Sequence, residues 1–381
     1  MVALRQLFEY RLTNSSPDNA RMEWLDIVES RSKLWQNISS PKKELIRSVL
    51  NTLNLEIVKR TRSNNSYNFS GASIGNMFLT GARIFSGSFE SAIYLLSMVC
   101  SIPRWVDVLP AINSAHHTYH ISAELQDGTI LTGQVAISHP SAPTALPDND
   151  PELVDHYPES QHLPGSLEVL HQQNIAFSKD EEEDLPARIK RLFYINLYGH
   201  ELVPTPNSKV IEALKSSTTV IYSIGSLYTS IIPSLIFPGI GNELEHSTGI
   251  KHKILILNSK LDRETGPVKV PREERMSARD FVSAIGRACV ESRDKKRIGM
   301  VEEGVLGSKF VTHLVYLEAG EEGDEYDEEV LMMPKVDVEE LEGRMGIKCV
   351  GVKGVNKGDG KGWRYDEEGL RMVLEGIVDS S

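Results

Sequence analysis

The chain has 381 residues, and its 41 Lys and Arg against 53 Asp and Glu give a formal net charge of −12. That length suffices for one large α/β domain or two smaller ones with a sizeable buried core. Acidity of this size excludes a general nucleic-acid binder or a protein drawn to anionic membrane, since both need clustered Lys and Arg.

The first hundred residues read as helices. Trp24, Val28, Trp35 and Ile38 recur near helical spacing. Ser40-Pro41 is an N-cap followed by Pro at the first helical position, and the helix after it carries Leu45, Val49, Leu53 and Ile57 on one face until Asn64-Asn65-Ser66 breaks it. Ser73–Phe85 and Phe89–Met98, the second capped by Ser88, form a helical pair. The character changes at Pro103. Trp105–Leu109 reads as a strand, and Tyr119–Leu125 and Thr129–Ile137 flank the hairpin signal Gln126-Asp127-Gly128. From about 138 to 187 the chain is rich in Pro, Ser, His and acid and reads as a long surface insertion.

From Arg188 onward strands and helices alternate. Strands are expected at Arg191–Asn196, Thr218–Ile224, Lys253–Asn258 and Ile347–Val352, with helices at Ser208–Lys215, Thr229–Leu244, Ala278–Cys289, Val338–Met345 and Asp366–Ile377. Such spacing indicates βαβ units and a parallel sheet. The three cysteines show no CxxC spacing, the first residues hold no apolar signal core, and no apolar run is long enough to span a bilayer. A reducing, cytoplasmic setting without a membrane partner is the expectation.

Chemistry is expected first at Tyr222-Ser223-Ile224-Gly225-Ser226-Leu227-Tyr228-Thr229-Ser230, between an apolar strand and a helix. In a parallel sheet, ligands sit beyond the carboxyl ends of the strands, where a helix start offers free N–H groups to an anion. Gly225 permits close backbone approach, and Ser226, Thr229 and Ser230 add hydroxyl donors. The sequence leaves two readings open here, a phosphate site or a capped strand-to-helix turn. The same choice stands at Gly71-Ala72-Ser73-Ile74-Gly75-Asn76, either an anion or base contact or a helix start in which Gly75 allows close packing. Asp262 and Glu264, after the strand ending near Asn258, would position a cation or substrate or else belong to a solvated charge network, and Asn196 ends another strand. His116, His117 and His120 lack the acidic partner of a helical zinc motif and read as polar residues at a strand start.

Together these segments resemble the CofD/YvcK-like family, which contains 2-phospho-L-lactate transferase and a regulatory protein that binds a nucleotide sugar. The resemblance rests on Ser73-Ile74-Gly75-Asn76-Met77-Phe78-Leu79, Gly87-Ser88-Phe89-Glu90-Ser91-Ala92-Ile93, Val108-Leu109-Pro110, the Asp127-Gly128 hairpin, the stretch Leu257 to Thr265, and Asp280-Phe281. It is strongest at Ile224-Gly225-Ser226-Leu227-Tyr228-Thr229-Ser230-Ile231-Ile232-Pro233.

It implies an α/β fold with a Rossmann-like, mainly parallel sheet, helices on both faces and a helical N-terminal portion. Residues 1–102 would be the helical part and 103–381 the α/β part of one continuous domain. Gly225, Ser226, Thr229 and Ser230 would line a nucleotide's phosphate, with Ser73, Gly75 and Asn76 on the facing wall. The implied partner is a nucleotide or nucleotide-linked small molecule, the implied cofactor is Mg2+, and a homodimer follows by family analogy. The implied activity is phospholactyl transfer from a guanylyl-linked donor to a deazaflavin alcohol, or regulation through a bound nucleotide sugar. The family's opening strand with its Gly-rich loop, and its Asp-Gly-rich loop, have no counterpart here. The chain is therefore expected to be a truncated or divergent member, and inactivity is the third alternative.

Overall fold

A computed structural model describes residues 2–61, 67–112, 118–138, 165–170, 184–223, 225–266, 274–293, 303–318, 333–356 and 362–380. The chain divides into two compact units, one containing Met1–Pro110 and the other the described residues of Thr118–His139 and Glu181–Ser381.

The first unit is helical: α1 (Val2–Glu9), α2 (Pro17–Val28), α3 (Ser40–Arg60), α4 (Ile74–Ser86) and α5 (Phe89–Val99). Local chemistry sets its boundaries. Ser16 accepts from the Asn19 N–H with Pro17 at the first helical position, and Ser88 accepts from the Ser91 N–H. Gly87 closes α4 at φ 78°, a backbone region that other residues enter only at a cost. Trp24, Ile27, Ile46, Leu50, Ile74 and Phe78 form the centre of this core. The Trp24 indole N–H donates to Asn54 Oδ1 at 2.9 Å and the Trp35 indole N–H to the Ile27 carbonyl at 2.8 Å, so neither buried indole lacks an acceptor. The α3 stripe is rotated from expectation: Ile46 and Leu50 point inward and Leu45 is exposed, because the buried face of α3 centres on Ile46, Val49, Leu50 and Leu53. No strand forms at Trp105–Leu109. There the Val106 N–H closes a turn onto the Pro103 carbonyl, and Trp105, Val106 and Val108 stand exposed with no pairing strand among the described residues.

In the second unit β1 (His120–Leu125), β2 (Ile130–Thr132), β3 (Ile189–Ile195) and β4 (Glu201–Leu202) make an antiparallel sheet ordered β2-β1-β3-β4. The strand expected over 129–137 is split, because Gly133 at φ 91° ends β2 and a short helix, α6 (Gln134–Ser138), follows. β3 was expected within the parallel alternation. It pairs antiparallel with β1 instead, Ile121 opposite Tyr194, extending the β1–β2 hairpin from its free edge.

After α7 (Ser208–Ser216), the parallel sheet is built from β5 (Thr219–Tyr222), β6 (His252–Ile256), β7 (His313–Glu318) and β8 (Lys348–Asn356), in that spatial order, and closed by antiparallel β9 (Trp363–Tyr365). Its connections carry α8 (Ile232–Leu235), α9 (Ile240–His246), α10 (Ala278–Glu291), α11 (Glu303–Phe310) and α12 (Val338–Gly343), and α13 (Glu367–Asp379) ends the fold.

The alternation of side chains along β6 and β7 shows why both faces are covered. Leu255 and Leu314 enter the larger core with Phe281, Ile285 and Phe310, while Ile254, Ile256 and Val315 pack with Leu370, Val373 and Ile377 of α13. This is the α/β, mainly parallel, Rossmann-like fold with helices on both faces that the sequence implies. The single helix expected over 229–244 is instead three pieces: a π segment (Leu227–Ile231), α8 and α9. Pro233 has no N–H to continue the ladder, and Pro238-Gly239, with Gly239 at φ 91°, turns the chain. Residues 64–66, His116, His117, most of the 138–187 insertion and Ile224 lie outside the described residues.

Candidate functional site

β5 is anchored where the Tyr222 hydroxyl, buried, donates to the Phe310 carbonyl at 2.8 Å. The chain then leaves the sheet through Gly225 and Ser226 into the π segment. A Cβ on Gly225 would lie 2.7 Å from Ser230 Cβ, so only glycine permits this approach. The Ser226 carbonyl accepts from the N–H groups of both Ser230 (3.0 Å) and Ile231 (3.2 Å), which is how the ladder widens to the π spacing. Leu227 and Tyr228 point inward, and the Tyr228 hydroxyl donates to the Ile189 carbonyl of β3 at 3.2 Å. On the other side, Asn258 Nδ2 donates to the Gly225 carbonyl at 3.4 Å. Four of the expected residues are thus brought together in one turn, with Gly225 and Ser230 exposed and Ser226 and Thr229 half-buried.

The loop after β6 completes the arrangement. Asp262 caps the short 3-10 turn Arg263–Thr265: its Oδ1 accepts from the N–H groups of Glu264 and Thr265, both at 3.1 Å, and from the Thr265 hydroxyl at 2.8 Å. That cap turns Glu264 inward, where it is 2% exposed. Its Oε2 accepts from the Tyr228 N–H at 3.0 Å and the Thr229 N–H at 2.9 Å, and its Oε1 accepts from the Thr229 hydroxyl. The carboxylate occupies the position at a helix start where an anion is favoured. Burial pushes its pKa up to about 7, with the charge of Asp262 adding to the rise and the bonds from Thr229 and Tyr228 opposing it.

This geometry corrects several sequence expectations. Glu264 is not part of a solvated network; its Oε2 is held by two backbone amides and its Oε1 by the Thr229 hydroxyl. Thr229 gives both its N–H and its hydroxyl to Glu264, so its phosphate-facing donors are already engaged. Asp262 is a cap. Asn196 is a turn residue between β3 and β4, where its Oδ1 accepts from the N–H groups of Tyr198 (2.9 Å) and His200 (3.0 Å).

Ser73, Gly75 and Asn76 belong to the helical unit. Ser73 caps α4 by accepting from the Asn76 N–H at 3.4 Å, a Cβ on Gly75 would lie 2.8 Å from the Phe8 carbonyl oxygen, and Asn76 is exposed. Asn258 and the Tyr228 amide were not singled out from the sequence. The only signal for either is position: Asn258 directly follows a buried strand, and Tyr228 opens the turn.

A magnesium ion, implied by resemblance, does not fit the Glu264 carboxylate, both of whose oxygens are taken by Tyr228 and Thr229, and Asp262 Oδ1 serves as a turn cap. Among the described residues no group of three or more His, Cys, Asp or Glu side chains is placed to hold a metal.

Residues 3–353 match the family described as 2-phospho-L-lactate transferase CofD. The chain belongs to the CofD family. An uncharacterized protein of Saccharomyces cerevisiae is 34% identical over 344 residues, 84% of this chain and 75% of that protein. The family ties extend to bacterial gluconeogenesis factors. Those of Halalkalibacterium halodurans and Bacillus subtilis are 27% and 26% identical over 60% and 56% of this chain, and the chain spans 55% and 52% of their length. A Bacillus halodurans protein solved by crystallography superposes over 99% of this chain and 95% of its own with a TM-score of 0.52 at 21% identity, and a UPF0052-family structure from the same organism gives 0.52 at 20%. At that identity the shared property is the fold. Among the described residues no helix is long and apolar enough to cross a membrane.

Proposed function

We propose that this CofD-family chain binds a nucleotide-linked, phosphate-bearing small molecule at the turn Gly225–Ser230. One observation carries the reading. An exposed, glycine-opened turn stands beyond the carboxyl end of a parallel strand, and the hydroxyls of Ser226 and Ser230 lie next to the only kind of residue that lets backbone come so close. Gly225 gives a phosphoryl oxygen access to main chain, Ser226 and Ser230 donate from their hydroxyls, and Asn258 steadies the Gly225 carbonyl.

The activity implied by the resemblance is phospholactyl transfer from a guanylyl-linked donor to a deazaflavin alcohol, in which positioning and charge neutralisation matter more than covalent help. A second reading, a nucleotide-sugar-binding protein of the gluconeogenesis-factor kind without catalysis, is favoured by a specific observation: the two carboxylates nearest the turn, Asp262 and Glu264, are engaged with backbone N–H groups. Calorimetry with guanine nucleotides and uridine diphosphate sugars tests the shared claim. Product formation from the guanylyl-linked donor and deazaflavin alcohol, with and without magnesium, separates the two readings. If no nucleotide binds, both fail. A homodimer is the assembly suggested by analogy, and light scattering checks it.

A further inference from the structure

Glu264 does more than fill a gap in the core. Its carboxylate accepts from two successive amides and one hydroxyl of the segment that opens at Ser226. It therefore ties the β6 loop to the π segment and sets how Gly225, Ser226 and Ser230 are presented. The same placement puts a negative charge against the residues that would receive a second one. A phosphoryl group held by Ser226 and Ser230 stands beside Thr229, whose N–H and hydroxyl are both given to Glu264.

Compensation from other side chains is limited. On its own loop the charged sequence neighbours of Glu264 are Asp262 and Arg263, and the Asp262 charge is the one that acts on it. From α10 and the approach to β3, Asp280, Arg287 and Arg188 reach the neighbouring Tyr228, and Arg188 is already paired with Asp280 at 3.6 Å. The π segment and α6 contribute no Asp, Glu, Lys, Arg or His.

Building on the nucleotide-site reading, we propose that Glu264 is the positioning residue of this site and takes up a proton when a phosphoryl group binds beside it. An anion held on this turn and the buried carboxylate behind it repel, and the carboxylate is the one that can be neutralised without losing its place. Protonated, Glu264 keeps both amide bonds on its carbonyl oxygen and turns its O–H toward Thr229 Oγ1. The clamp survives and the charge disappears. Burial already raises the pKa of the free carboxyl to about 7, so a small further rise protonates it.

The test is titration calorimetry with a guanosine diphosphate sugar and a uridine diphosphate sugar at pH 7, 8 and 9, where these doubly esterified diphosphates hold a constant charge, in two buffers of different ionisation heat. Wild-type affinity should fall by up to about tenfold per pH unit, and the buffer dependence of the heat should show uptake approaching one proton. Glu264→Gln reproduces the protonated hydrogen-bond pattern. It should lose both dependences and bind at pH 9 as tightly as the wild type at pH 7. Glu264→Ala, which removes the clamp, should bind more weakly at every pH.

Wild-type binding that is independent of pH and buffer would overturn the proposal while leaving the site intact, and so would a Gln variant weaker than the wild type at pH 9. Absence of nucleotide binding by every form at every pH would reject the site itself.

Discussion

Glu264→Gln also separates charge from geometry in the unliganded protein. The two Oε2 bonds from Tyr228 and Thr229 and the Thr229 hydroxyl contact can all be kept by the amide, whose N–H donates to Thr229 Oγ1 while its oxygen accepts from both backbone groups. What changes is the cost of burying a carboxylate at 2% exposure. The folded-state pKa of about 7 lies above the ordinary 4.5, so the folded protein holds the proton more tightly than the unfolded chain does. Stability from this group is therefore full below pH 4.5 and is lost as pH rises through 7. At about 1.4 kcal/mol per pH unit, the rise from 4.5 to about 7 amounts to about 3 kcal/mol. The Gln variant should be more stable than the wild type by about that much at pH 8 and nearly equal to it at pH 4. Urea unfolding read by hydrogen exchange in peptides of β6 and α10 reports this unit separately from the helical one. A Gln variant less stable than the wild type at pH 8, or a difference of the same size at both pH values, would refute the reasoning.

Other expectations follow from single contacts. Ser226→Asp places a carboxylate against the bound phosphoryl group and should weaken nucleotide binding at least about tenfold by calorimetry, with the circular dichroism spectrum unchanged. Asn196→Ala removes two acceptor contacts in the β3–β4 turn. It should cost about 1 kcal/mol in denaturant unfolding and leave nucleotide affinity alone. Gly241→Ala would put a Cβ 1.9 Å from the Cys289 carbonyl oxygen and 2.5 Å from Ser292 Oγ, forcing α9 off α10; a loss of about 3 kcal/mol is expected, read as a lowered urea midpoint.

Much of the fold is legible in local sequence because its signals are local. Ser88 caps the helix it was expected to cap, Ser73 expected as the first helical residue is itself the cap, and the buried run His252–Ile256 and the periodic Ala278–Glu291 fall within a residue or two of expectation. What the sequence hid depends on partners distant along the chain. Val106 and Val108 have strand-like composition, but among the described residues no strand pairs with them. Arg191 and its neighbours read as an ordinary strand, and nothing local says that β3 joins β1 rather than β5. The site shows the same limit. Gly225 and Ser230 could be singled out from one stretch, whereas the engagement of the Tyr228 and Thr229 amides depends on Glu264, 35 or 36 residues further on, whose inward turn is dictated by the Asp262 cap.

The π segment Leu227–Ile231 carries one residue more per turn than an α-helix would, with the Ile232 N–H reaching back to the Leu227 carbonyl. In a right-handed helix one residue is worth about 100° of rotation. Deleting a single position here would leave α8 seated in its core while swinging Gly225 and Ser226 by roughly a quarter turn around the axis. A one-residue gap between relatives at this point is therefore a steering change: the same scaffold would aim a different set of atoms at whatever enters the cleft.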